Sequence, residues 1–205
     1  MEKTDFKKYL KTLYGPTMRM GIHLVEVPAM RFLMIDGHGN PNTERSYAEA
    51  VETLYSVAYA LKFASKKQLE RDYVVPPLEG LWWASDMESF VTREKDKWDW
   101  TMMIMVPDWL GPAMIEKTIG TVRVKKAPPA LDRLRVEKLE EGRAAQVLHI
   151  GPYDDEGPVL EKLHAEFLPQ NGLKPVGKHH EIYLSDPRRA DPGRLKTILR
   201  QPVKP

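Results

Sequence analysis

Cysteine is absent from the 205 residues, which removes disulfides, thiolate metal sites and cysteine nucleophiles and suits a reducing compartment. Long apolar runs are missing too. None exceeds five residues, at 57–61 and 102–106, against the roughly 20 needed to cross a bilayer. The first residues, Met1-Glu2-Lys3-Thr4-Asp5-Phe6-Lys7-Lys8, lack the apolar core of a signal peptide. These absences predict a cytoplasmic chain that does not enter the membrane. Charge of one sign is not in excess either: 31 Lys+Arg against 29 Asp+Glu give a formal charge of +2. The two signs interleave, so no basic face for phosphate contacts and no direct nucleic-acid binding is expected. Gly37-His38-Gly39 lacks the rest of a dinucleotide fingerprint, and no GxxxxGK[ST], GxSxG or HExxH sequence occurs, which excludes the common nucleotide, serine-hydrolase and zinc chemistries. The adjacent His179 and His180 point to opposite faces of any strand that carries them, so no metal site is expected.

What is present is an ordinary globular mixture, 42% apolar and 29% charged, long enough for one large core or two fused halves. Residues 25–37 read as a strand interrupted at Pro28, since proline cannot donate to a ladder. A loop follows at 37–42, and Thr43 or Ser46 is placed to cap a helix with apolar residues Tyr47, Val51, Leu54, Tyr55, Ala58 and Leu61 at three- and four-residue spacing. Two strands, 78–84 and 98–106, are then joined by a charged loop, 86–97. A helix is expected within 108–119, a connector at 125–130 and a connecting segment at 131–142. The order then repeats: strand 143–150, helix 156–168, a turn-rich loop at 169–177, strand 179–185, and a last strand, 194–200, stopped by Gln201-Pro202.

Matching landmarks suggest an internal duplication with pseudo-repeats 22–124 and 131–203 in a single domain spanning 1–205. Gly37 pairs with Gly151 after the first strand, Glu79 with Glu181 in the second, and Pro107 with Pro202 after the third. Strand alternation puts Glu181 and Tyr183 on one face, toward a cleft, and Ile182 and Leu184 on the other, toward the helices.

Five segments, in order, carry a family resemblance: Leu78-Glu79-Gly80-Leu81-Trp82-Trp83, the run from Trp98 to Pro107, His149-Ile150-Gly151-Pro152-Tyr153, the run from His180 to Arg189, and the run from Leu195 to Val203. From Ile22 onward the chain resembles the GyrI-like small-molecule-binding proteins. The resemblance implies an α+β fold of two tandem strand-helix-strand-strand (SHS2) modules, related by a pseudo-twofold axis around a central ligand cleft. It also implies a stand-alone protein, because the stretch before Ile22 is too short for the helix-turn-helix of the family's regulators. Among stand-alone relatives, those with paired tryptophans are similar to cyclopropanoid cyclopropyl hydrolases, which open the strained ring of planar DNA-alkylating compounds as a detoxification.

On that reading Glu181, assisted or replaced by Glu79, is the base that activates water. Tyr183 or Tyr153 donates a hydrogen bond to the oxygen that gains charge, and no cofactor is needed, since ring strain and aromatisation drive the reaction. A solvated strand face is the alternative for Glu181, and a rim charge for Glu79. Of the five tryptophans, alternation separates Trp82 from Trp83, so not all can line one pocket. Trp83 and Trp100 are expected to stack on a planar hydrophobic ligand, with Trp82, Tyr153 and Tyr55 at the cleft, and core packing is the competing use of each. Two further readings stay open: a binding protein that sequesters lipophilic or cationic compounds without chemistry, and, from the family's gyrase-inhibitor name, interaction with gyrase.

Overall fold

The computed structural model describes residues 3–85 and 94–205; residues 1–2 and the 86–93 part of the expected loop lie outside the described residues. In chain order the elements are β1 (Lys3–Thr4), α1 (Phe6–Tyr9), α2 (Lys11–Tyr14), β2 (His23–Val27), β3 (Met30–His38), α3 (Arg45–Gln68), β4 (Asp72–Tyr73), β5 (Leu78–Trp83) and β6 (Asp99–Val106). They continue with α4 (Pro112–Lys125), β7 (Arg135–Leu139), β8 (Gly142–Ile150), a composite helix α5, β9 (Lys174–Pro175), β10 (His179–Tyr183) and β11 (Lys196–Lys204). Helix α5 joins Gly157–Glu161, a π-helical turn at Lys162–Phe167, and Leu168–Gln170. The fold is mixed α+β.

The main sheet runs β2-β8-β11-β10-β5-β6-β3-β7, with β9 beside β11. Pro28-Ala29 separates β2 from β3, and Glu140-Glu141 separates β7 from β8, yet each pair spans almost the whole strand order. Six strand spacings of a flat sheet cover roughly 29 Å, whereas the three Cα steps from Val27 to Met30 reach at most about 11 Å. The sheet must therefore curl until its flanks meet. The register agrees, because Val27 pairs with Gly142 and Met30 with Leu139, so one long two-stranded ribbon bends at Pro28 and joins both flanks.

Helices α3 and α5 lie on one face, here the helical face. Tyr47 of α3 packs on Trp82 and Trp100, and Leu163 of α5 clusters with Ala145 of β8. The opposite face is covered by the N-terminal segment, whose Thr12, Leu13 and Tyr14 bond to Gln146, Arg200 and Glu79. Helix α3 buries Leu54, Ala58 and Leu61 of the expected stripe, together with Ala50 and Val57, while Tyr47, Val51 and Tyr55 are half-buried at its margin. No helix of the described residues is long and apolar enough to cross a membrane.

Several expectations need correction. Glu44, not Thr43 or Ser46, is the residue before α3, and no side chain caps the helix there. The segment 131–142 holds an edge strand, β7, because residues 135–139 complete the ladder on β3. The last strand runs through Gln201-Pro202. Pro202 pairs with Ala144 of β8, and its carbonyl still accepts from the Val176 N–H on the β9 side, at 2.9 Å, so only the bond its absent N–H would donate is lost.

Gly37 makes room for a core residue. A Cβ built there would lie 2.0 Å from the Trp100 indole, which is fully buried and donates Nε1–H to the Gly39 carbonyl. Gly37→Ala is expected to displace that ring and destabilise the fold by about 1–3 kcal/mol. Thermal denaturation checks this, and an unchanged midpoint would show that the indole can shift at no cost.

Candidate functional site

Strand β10 alternates, so His179, Glu181 and Tyr183 share the helical face while His180 and Ile182 point the other way. Their register partners on β5 are Trp82, Gly80 and Leu78 respectively, and directly opposed residues share a face. The expected direction is thus reversed. Glu181 and Tyr183 lie on the same side as the helices, between α3 and α5, and Ile182 turns to the opposite face beside Glu79.

A hydrogen-bond chain organises this strip. Trp82 Nε1–H donates to the Tyr183 hydroxyl at 3.0 Å, and that hydroxyl donates to Glu181 Oε2 at 2.7 Å. Gly80 makes the meeting possible: a Cβ there would sit 2.8 Å from Trp82 Nε1 and 3.1 Å from the Tyr183 hydroxyl. Burial, reinforced by the Glu181 charge, pushes the Tyr183 phenol well above its ordinary range, so it stays a neutral donor. Tyr153 meets Tyr183 edge-on at 5.7 Å, Tyr47 stacks on Trp82 at 6.3 Å, and Trp98 meets Trp82 edge-on at 5.9 Å. Burial and then Glu156 push the Tyr153 phenol up to about 12. Tyr55, half-buried on α3, is raised by burial and by Asp186. The arrangement is a half-buried carboxylate with one oxygen anchored, walled by aromatic rings.

Other expected members lie elsewhere. Trp83 is on the opposite face, beneath the Lys178 ammonium at 3.2 Å from its ring. Trp100 shares the helical face but has no exposed surface to offer a ligand. Trp82, also expected at the cleft, shares the face of Glu181 and bonds Tyr183.

Glu79 is also on the opposite face, fully buried, and is not beside Glu181. Matching Glu79 to Glu181 is off by one residue, and in a strand a slip of one exchanges the faces. Glu79 instead belongs to a buried polar network. Tyr14 donates to its Oε1 at 2.7 Å, and His180 Nε2 lies 2.9 Å from its Oε2. His180 Nδ1 lies 3.0 Å from Glu141, Arg200 reaches Glu141 at 3.1 Å, and Gln146 accepts from Arg200. Burial alone would lower the His180 pKa, but Glu141 and Glu79 outweigh it and raise it to about 9. Burial would raise that of Glu141, but His180 and Arg200 bring it down to about 2. Two carboxylates thus face two cations, and the network neutralises itself.

A pocket of about 360 Å³ on the opposite face is bounded by Met34, Leu81, Arg135, Glu141 and Lys178 among others. Its Arg135 is held by Asp36 and Glu137, and its Glu141 by His180 and Arg200. Such paired charges are spent on one another, so the Glu181 strip is the stronger chemical site. Among the described residues no group of three or more His, Asp or Glu is arranged to hold a metal.

Sequence reasoning weighed His179 only as a metal ligand, although its place two residues before Glu181 puts it on the same face. Its Nε2 lies 3.4 Å from Glu181 Oε1. His164, brought near by the π-helical turn of α5, has its pKa lowered by burial and by His179.

The family model described as GyrI-like small molecule binding domain matches residues 20–204. Three solved structures from Listeria innocua are similar over nearly the whole chain. One, described as an uncharacterized conserved protein, is 39% identical with a TM-score of 0.89, covering 98% of this chain and 100% of that one. Two described as hydrolases are 37% and 38% identical, with TM-scores of 0.85 and 0.86, covering 98% and 99% of this chain and 100% of theirs. The C-terminal domain of EcmrR, at 13% identity and a TM-score of 0.54, covering 89% of this chain and 96% of that one, shares the fold. No curated protein matches the chain.

Proposed function

Because the chain belongs to the GyrI-like family of small-molecule-binding domains, we propose that it is a hydrolase that adds water to an activated cyclopropane in a planar aromatic compound, with Glu181 as the base. The observation that carries this reading is the carboxylate itself: Tyr183 fixes one oxygen, the other lies 3.4 Å from His179 Nε2 without a hydrogen bond to it, and aromatic rings flank the strand. Similarity to two Listeria hydrolases along nearly the full chain supports an enzyme over a passive binder.

In the proposed reaction the water oxygen bonds to a ring carbon while Glu181 takes its proton. The cyclopropane C–C bond breaks, and its electron pair moves through the conjugated system to a carbonyl oxygen, which becomes a phenol by gaining the proton that Glu181 accepted. Water is the only co-reactant and nothing is oxidised. Tyr183 has one proton and gives it to Glu181, so it positions the base. The aromatic rings hold the plane of the substrate and exclude bulk water. The repeated strand-helix-strand-strand order, β3-α3-β5-β6 and β8-α5-β10-β11, meets at β5 and β10 in the strand order. It supports a single domain of two modules about a pseudo-twofold between those strands, with the strip at their junction. A cytoplasmic setting, where such compounds would threaten DNA, fits this role.

The test is to incubate the protein with a cyclopropane-bearing alkylator and follow the product by mass spectrometry. A product heavier by one water, formed catalytically, is expected. Binding without product would make the protein a sequestering module, and capture of gyrase with no ligand binding would replace both readings.

Ligand fluorescence separates the tryptophans. Trp82→Phe keeps an aromatic wall but removes the donor to Tyr183, so turnover is expected to fall by about tenfold, with smaller loss of affinity. Trp100→Phe should lower thermal stability and leave ligand affinity unchanged, because that ring is wholly inside.

A further inference from the structure

Buried polar side chains without partners are uncommon, and each asks for an explanation. His179 is such a residue. Among the described residues neither Nδ1 nor Nε2 makes a hydrogen bond, although both are buried. Nε2 is 3.4 Å from Glu181 Oε1 but is not aligned to bond it. Thr197 Oγ1, on the strand beside Tyr183 and on the same face, is also buried and unpartnered. The neighbouring donors are committed: Trp82 Nε1–H to Tyr183, and the Tyr183 hydroxyl to Glu181. Of the two unpartnered groups, the His179 imidazole is the one that stands next to the base, 3.4 Å from Glu181 Oε1, whereas Thr197 lies opposite Tyr183.

We propose that His179 donates a hydrogen bond to an oxygen substituent of the bound ligand, so that the site selects planar aromatic compounds bearing a carbonyl or phenolic oxygen. This rests on the small-molecule reading of the same strip and assigns the residue that recognises the oxygen of the proposed substrate. Apolar rings fit the aromatic walls equally well with or without the oxygen, so the walls cannot supply that preference. A buried donor left unpaired can, because it penalises the ligand that lacks the acceptor. Its position beside Glu181 Oε1 would hold the oxygen end of a substrate near the base and orient the ring.

The experiment titrates the full chain with 2-naphthol and with naphthalene, reading affinity from amide shifts and His179 from its ring nitrogen resonances. Naphthol is expected to bind about three- to tenfold more tightly than naphthalene, the worth of one hydrogen bond, and to move the His179 nitrogen resonances. His179→Leu should remove the preference while naphthalene binding persists, and His179→Gln, which keeps an N–H donor, should restore part of it. Melting curves of both variants check the fold. Equal binding of the two probes to the unaltered chain, or a preference that survives His179→Leu, overturns the assignment while leaving the cleft reading standing. If neither probe shifts the residues around Glu181, the cleft reading falls and this inference with it.

Discussion

Glu181→Gln is expected to lower turnover by about 10²–10⁴-fold while ligand affinity and the melting temperature change little. Glutamine preserves the shape of the side chain, and its carbonyl oxygen can still accept from the Tyr183 hydroxyl, so the chain from Trp82 survives. What it cannot do is accept a proton from water at neutral pH. Single-turnover rates with a cyclopropane substrate give the measurement, and equilibrium binding of a planar ligand gives the control. Tyr183→Phe should produce a smaller loss, because it frees the carboxylate to rotate without removing it. The companion substitution Glu79→Gln reads differently. Glu79 lies on the other face against Tyr14 and His180, so it should reduce stability and leave the turnover of the folded fraction intact. A large loss of turnover per folded molecule in Glu79→Gln, with none in Glu181→Gln, would move the chemistry to the opposite face.

The second large effect concerns stability. Arg200 is fully buried, bonds Glu141 and Gln146, and donates to the Leu13 carbonyl, so it ties the N-terminal segment to β8 and to the bend at Glu141. Arg200→Met leaves Glu141 buried with one cation fewer, and breaking a buried ion pair in this way costs about 3–5 kcal/mol. For a chain of this size that corresponds to a fall of roughly 6–20 °C in Tm. Arg45→Met, which removes an exposed pair with Glu49, should stay within about 0.5 kcal/mol of the unaltered protein. The same network sets a pH window. The His180 pKa is raised from 6.5 to about 9, so its contribution is complete below pH 6.5 and is lost as pH rises through 9. That of Glu141 is lowered from 4.5 to about 2, so its contribution is complete above pH 4.5 and is lost as pH falls toward 2. Stability from this network should therefore peak between pH 4.5 and 6.5 and decline on both sides, by on the order of 3 kcal/mol at each extreme. Denaturant midpoints across pH 3 to 9 check this, and a flat profile in which Arg200→Met is also neutral would show that the network holds nothing.

Local periodicity made much of this protein legible from the sequence. The spacing of Leu54, Ala58 and Leu61 defines α3, Pro28 breaks the first strand, and the repeated order of elements is readable because each follows from neighbours along the chain. Alternation also fixed Glu181 and Tyr183 on one face and separated Trp82 from Trp83. The same rule places His179 with Glu181, although adjacency to His180 drew attention to metal chemistry instead. The family was readable from five short segments, since the residues that build the shared fold recur in order.

The tertiary structure decided what lies across each strand. Alternation says that two residues share a face but not which face meets the helices, and the register between β10 and β5 turned Glu79 away from Glu181 by a single residue. The fate of each tryptophan depended on contacts distant in sequence: Gly37 and Tyr47 enclose Trp100, Lys178 covers Trp83, and Gly80 admits Trp82 to Tyr183. The buried network draws on Tyr14, Glu79, Glu141, His180 and Arg200, residues scattered over most of the chain, and no local pattern marks them as partners. Sequence determines such features only through the complete fold, because burial and hydrogen bonding are properties of the assembled core, whereas helix and strand periodicity belong to a few consecutive residues.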